Sequence, residues 1–107
     1  MPLDHVFMIV ADEARARAQM EADGLRVNYA RPHPGQGTAN LCACLDDVFL
    51  ELLWFDGSPM SDATKEIGLA DRATGGSRFG IAWRGEPAVE TVPYQAPFLP
   101  PERSIPV

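Results

Sequence analysis

Apolar alternation, broken twice by helical spacing, divides the chain into a strand, a helix, three strands, a helical connection and a fifth strand. Leu3–Val10 (LDHVFMIV), rich in β-branched and aromatic residues, predicts a first strand with His5, Phe7 and Ile9 on one face. Ala11, Ala14, Ala18 and Ala22 then recur at helical spacing and Gly24 supplies a stop. This predicts a short helix over Asp12–Asp23 that packs through its alanine face and turns Arg15 and Arg17 outward. Leu25–Ala30 predicts a second strand, Arg31–Asn40 (RPHPGQGTAN) a hairpin loop, Leu41–Leu45 a third strand and Asp46-Asp47 a tight turn. From Ser58 to about Arg72 the spacing is helical, with Pro59 suited to a first turn and Ala63, Ile67 and Ala70 on one side, although Gly68 weakens the helix. Gly75-Gly76 ends it, Arg78–Arg84 predicts the fifth strand, and the prolines beyond Gly85 leave an extended arm.

The fourth strand, Val48–Phe55 (VFLELLWF), is the most apolar stretch and carries one acid, Glu51. Alternation puts Phe49, Glu51, Leu53 and Phe55 on one face and Val48, Leu50, Leu52 and Trp54 on the other, so both faces are expected to be buried, the second beneath the alanine helix. Asp56-Gly57 is expected to end the strand. An ionised carboxylate among Phe49, Leu53 and Phe55 is strongly disfavoured unless a cation, a metal or hydrogen-bond donors meet it, or its pKa rises. Glu51 is therefore the leading candidate for chemistry.

Composition narrows the field. A chain of 107 residues, 46% hydrophobic and 22% charged, is one globular domain's worth. Its formal charge of −6 argues against a phosphate-binding surface, hence against nucleic acid as a partner. No apolar run reaches the roughly 20 residues of a membrane span, which predicts a soluble, cytoplasmic protein with no membrane partner. Cys42 and Cys44, two apart in a strand pattern, read as reduced, buried thiols rather than a disulfide or zinc site. Gly35 and Gly37 do not make a dinucleotide fingerprint, because a strand rather than a helix follows them. No serine sits in a nucleophile-elbow context and the cysteines lack a local base, so covalent catalysis has no support.

The segment LDHVFMIV, the Ala-rich helix, HPGQGTAN and FLELLWFDG together resemble the glyoxalase-like branch of the vicinal oxygen chelate superfamily, which includes bleomycin-resistance proteins and dioxygenases. The likeness covers roughly Leu3–Gly57, with PYQAPFLPPERSIPV a looser match to the tail region. It implies an α+β fold: a βαβββ module, two of which normally pair so that curved mixed sheets form a cup around a small molecule. On this basis the chain is one glyoxalase-like domain over residues 1–107, with a βαβββ module (1–57), a connecting helix (58–76) and a partial second module with a proline-rich tail (77–107).

The resemblance further implies that a histidine on the first strand and a glutamate on the last hold one divalent metal ion. His5 and Glu51 fall on those positions, and imidazole and carboxylate suit Zn, Ni, Mn or Fe. The second histidine is missing, since Phe79, Gly80 and Ile81 stand where it is expected, and too few residues follow Arg84 to complete a second module. A homodimer is the simplest remedy for the open sheet, and in a symmetric pair two His5 and two Glu51 would supply four ligands. Phe7, Phe49, Leu53 and Phe55 are candidate pocket wall or core, and His33, between two prolines, is structural or at the pocket rim. Three function classes stay open. One is a metal-dependent enzyme of lyase, isomerase or dioxygenase type, with Glu51 catalytic; another is a metal-free protein sequestering a drug-like or aromatic compound; the last is a truncated, non-catalytic module acting as a subunit. A simple His5–carboxylate pair without catalysis is the bland alternative for the site itself.

Overall fold

The structure is a computed structural model that describes residues 2–107. Seven strands and three helices follow one another: β1 (Leu3–Ile9), α1 (Glu13–Ala22), β2 (Tyr29–His33), β3 (Gln36–Cys44), β4 (Phe49–Met60), α2 (Asp62–Glu66), α3 (Asp71–Thr74), β5 (Phe79–Trp83), β6 (Pro93–Tyr94) and β7 (Ile105–Pro106). Five strands make a mixed sheet in the order β2-β3-β4-β1-β5, and β6 pairs with β7 separately. β1 runs parallel to β4, with His5 opposite Phe49 and Phe7 opposite Glu51; every other pairing is antiparallel. The parallel β1–β4 pair requires a crossover, and α1, β2 and β3 supply it. This is the βαβββ arrangement expected from the resemblance, extended by β5 on the far side of β1.

Asp12 caps α1 by accepting a hydrogen bond from the Arg15 amide at 2.9 Å, and Gly24, at φ +80°, lets the chain leave after Ala22. The helix does not pack through Ala11, Ala14, Ala18 and Ala22, which are all exposed. Its buried side runs through Ala16 and Met20, which meet Met8, Val10, Ala43, Leu50 and Leu52 on the sheet. Ala14, Ala18 and Ala22 do make a helical stripe, with Ala11 ahead of the helix, but the larger apolar area of Met20 decides which stripe is buried. Leu50 and Leu52 lie under α1 as expected; half-buried Trp54 is outside this cluster. On the opposite face Ile9, Leu53 and Leu69 form a second core with Phe7, Phe55, Ile67 and Ala73.

Several boundaries move. Leu25–Asn28 is an extended connection whose Leu25 and Val27 pack on the α1 core, and β2 begins only at Tyr29. Most of Arg31–Asn40 is strand rather than loop, because the reversal takes only Pro34 and Gly35, the latter at φ +81°. Pro32 is tolerated since β2 is an edge strand. β4 does not stop at Asp56-Gly57: Gly57, at φ +82°, bends the chain, which pairs with β3 again at Gln36–Met60. Pro59 therefore lies in a strand, and the single helix expected from Ser58 is two short ones, interrupted by Gly68 at φ +69°. Cys42 is buried as expected, whereas Cys44, beside the Asp46-Asp47 bend, is exposed.

Candidate functional site

The face of the sheet opposite α1 holds a concavity of about 420 Å³. The alternation of four strands delivers its walls: His5 from β1, Phe49, Glu51 and Leu53 from β4, Asn40, Cys42 and Cys44 from β3, and Tyr29, Arg31 and His33 from β2. Phe98 and Ile105 come over from the C-terminal arm to complete the rim.

His5 and Glu51 meet on its floor. His5 Nε2 stands 3.5 Å from Glu51 Oε1, and the Asp4 carboxylate binds the other ring nitrogen, Nδ1, at 2.7 Å. Phe49 stacks on the imidazole with ring centroids 4.2 Å apart. The second Glu51 oxygen accepts a 2.5 Å hydrogen bond from Asn40 Nδ2, while Asn40 Oδ1 accepts the Arg31 amide at 3.2 Å and so fixes the orientation of the side-chain amide. Arg84 closes the chain of contacts by donating to Asp4 Oδ1 at 2.8 Å.

Burial works against charge at both partners, and at both it loses. The Glu51 and Asp4 carboxylates raise the His5 pKa in spite of burial, and His5 and Asn40 hold Glu51 below the usual carboxylate range. Arg84 and His5 hold Asp4 low as well. Below the raised His5 pKa the pair is an imidazolium–carboxylate, a donor and an acceptor side by side, partly enclosed, with 19% and 14% of their side chains exposed.

His33 lies at the other end of the concavity, buried, with Nδ1 2.9 Å from Thr38 Oγ1; burial pushes its pKa down. It belongs to a satisfied polar knot. Gln36 donates to Thr38 at 2.8 Å and accepts from the Tyr94 hydroxyl at 2.9 Å, and Tyr94 also meets Thr64 Oγ1 at 2.7 Å. The knot fastens the arm, and Phe98 reaches the His33 ring at 5.6 Å.

Of the residues singled out from the sequence, the structure brings His5, Glu51, Phe49, Leu53 and His33 to one concavity. Phe55 and Phe7 share that side of the sheet but pack into the neighbouring core, and Arg72 lies over the Phe7 ring at 5.2 Å. Sequence reasoning missed Asn40 and Arg31 because their segment passed for a loop, and Tyr29 because its strand was given no place at the concavity; the alternation of Asn40 with Cys42 carries the signal. Phe98 and Ile105 lie far along the chain and had no local signal.

Asp4 on Nδ1 leaves Nε2 for the concavity, the orientation that ligating histidines commonly receive from a carboxylate. Among the described residues, however, no group of three or more His, Cys, Asp or Glu converges on one point. His5 and Glu51 thus fit as two ligands of an incomplete set.

A family model of a glyoxalase-like domain matches residues 3–92. A search of curated proteins returned no match. With β1 parallel to β4, a histidine and a glutamate facing each other from those strands, and a match that spans most of its length, the chain belongs to the glyoxalase-like domain family of the vicinal oxygen chelate superfamily.

Proposed function

We propose that the protein binds a small organic molecule in the concavity, with His5 donating to it and Glu51 accepting from it. The observation that carries this reading is a His–carboxylate dyad, 3.5 Å apart, on the floor of an otherwise largely apolar hollow of about 420 Å³. A volume of a few hundred Å³ with aromatic walls and few convergent polar groups suits a small ligand. Asn40 and Asp4 are positioning residues, since each engages the face of the dyad turned away from its partner. The test is ligand-observed NMR of a fragment library in the presence of EDTA, with hits mapped on the protein. Fragments that shift the Asn40 and Glu51 amides and weaken on His5→Ala and Glu51→Ala support the reading. Hits confined to other surfaces, or indifferent to both substitutions, overturn it.

A second reading has its own observation, the Asp4-oriented imidazole. In it His5 and Glu51 hold one divalent ion, Zn, Ni, Mn or Fe, whose remaining ligands come from substrate oxygens, water or a second copy. Such an ion would act as a Lewis acid on vicinal oxygens, in chemistry of lyase, isomerase or dioxygenase type. This chain's part would be to keep the imidazole in one tautomer through Asp4 and to hold Glu51 through Asn40. Calorimetric titration with Zn, Ni, Mn and Fe(II) decides it: uptake weakened by either alanine substitution supports the ion, and no uptake excludes it.

We also propose that the protein is a homodimer joined through β5. Phe79, Ile81 and Trp83, on one face of that edge strand, are 62%, 57% and 52% exposed, which is a large apolar stripe for a strand with a free edge.

A further inference from the structure

The concavity carries one solvent-exposed cation that no carboxylate pairs. Arg31 is the only lysine or arginine among the described residues lining it, and none of the ion pairs among those residues involves its side chain. Its guanidinium instead rests on the Tyr29 ring, 5.3 Å from the centroid, at the open end of the hollow. The other charges cancel locally: His5 is paired with Glu51 and Asp4, and Asp4 with Arg84. In register, Arg31 is opposite Asn40 and Asn40 opposite Leu53, so Arg31 stands two strands from β4 and three from β1. At ordinary strand spacing that is about 10 Å from the Glu51 strand and about 14 Å from the His5 strand. Between the two poles lie the apolar surfaces of Tyr29, Phe49 and Phe98.

We infer that Arg31 is an anion subsite of this concavity and that the ligand is a flat aromatic or unsaturated carboxylate about 10 Å long, its acid group on Arg31 and its far end at the His5–Glu51 dyad. This rests on the concavity being the ligand site. A guanidinium held over an aromatic ring offers a fork of N–H donors, which suits a two-oxygen anion better than the point charge of an ammonium would. Placement beside Glu51 is excluded for the anion by like charge, and Arg31 is the pole farthest from it. The ligand's apolar body is then held between Phe49 and the arm residue Phe98.

The experiment is an amide-resolved NMR titration of the protein with 2-naphthoate and, as a matched uncharged probe, 2-naphthamide. In wild type, naphthoate binds about tenfold more tightly than naphthamide, shifting the amides of Tyr29, Arg31 and Asn40. Arg31→Gln removes that advantage while leaving naphthamide affinity unchanged. Equal affinity for the two probes in wild type, or an advantage that survives Arg31→Gln, overturns the anion subsite even if both bind in the concavity. Loss of the advantage on His5→Gln rather than Arg31→Gln moves the acid group to the imidazolium and also overturns it. The underlying ligand site fails separately: there neither probe binds, or both shift amides elsewhere and Phe49→Ala changes neither affinity.

Discussion

At the scale of single residues, the His5–Glu51 pair ties stability to pH in a direction that can be worked out. His5 has a pKa raised above its ordinary 6.5, so its contribution is complete below that value and fades as pH rises through the folded one. Glu51 has a pKa lowered from 4.5, so its contribution is complete above that value and is lost as pH falls through the folded one. Both act together between about 4.5 and 6.5. Urea denaturation of wild type and Glu51→Gln, compared from pH 3 to 9, is expected to show the largest difference inside that window, about 1–3 kcal/mol, and a shrinking one on either side. A difference that is flat across pH means that the carboxylate charge is not what the histidine answers. A second residue test lies at Gly80, where a Cβ would stand 2.0 Å from the Phe7 ring. Gly80→Ala should lower stability by about 1–3 kcal/mol through overpacking, and adding Phe7→Leu should restore much of the loss. If the double variant is no more stable than Gly80→Ala, the ring is not the obstacle.

At the scale of elements, what was legible was what alternation and spacing encode locally. β1, α1, the apolar run of β4 and β5 stand within a few residues of their expected places, and the two faces of β4 sort as its sequence says. What was not legible depended on pairing partners. The Pro- and Gly-rich run 31–40 is mostly strand because the sheet supplies hydrogen bonds on one side only of β2 and a bend at Gly57 brings Met60 back beside Gln36. A local reading sees the breakers and not the partners that tolerate them. The same holds for the site: His5 and Glu51 were visible as an imidazole and an acid on apolar strands, whereas Asn40 gains its role only once β3 lies beside β4. The C-terminal arm is the extreme case, since Tyr94 reaches Gln36 across 58 positions of sequence. Tyr94→Phe leaves Gln36 Oε1 without this donor in a buried setting, with an expected loss of about 1–3 kcal/mol. Hydrogen exchange should then rise throughout 93–107 and leave β1 and β4 unchanged; protection lost evenly over the sheet would show that the hydroxyl supports the core and not the arm.

At the scale of the whole molecule, the open edge at β5 sets the expectation for assembly. The Ile9 amide bonds the Arg78 carbonyl and the Arg84 amide bonds the Pro2 carbonyl, each at 2.8 Å, so even-numbered positions of β5 face β1 and the backbone groups of Phe79, Ile81 and Trp83 face outward. The Phe79 carbonyl is already taken by Arg72. A two-fold pairing centred on Ala82 avoids it, matching Ile81 of each copy with Trp83 of the other through four backbone hydrogen bonds and laying their side chains against each other on the exposed face. In that arrangement the two β1 strands are separated by two β5 strands, about 14 Å in all, so each protomer keeps its own His5 and Glu51 and the two pairs do not share an ion. Sedimentation at micromolar concentration should give a dimer for wild type and a monomer for Ile81→Lys, because a lysine from each copy would stand in the apolar stripe beside the other's Trp83. Ligand affinity in the concavity, on the opposite face, should change less than twofold in the same variant. A wild-type monomer means that there is no such contact, and a dimer untouched by Ile81→Lys places it elsewhere; only in that second case does a shared four-ligand site become testable again, through another edge.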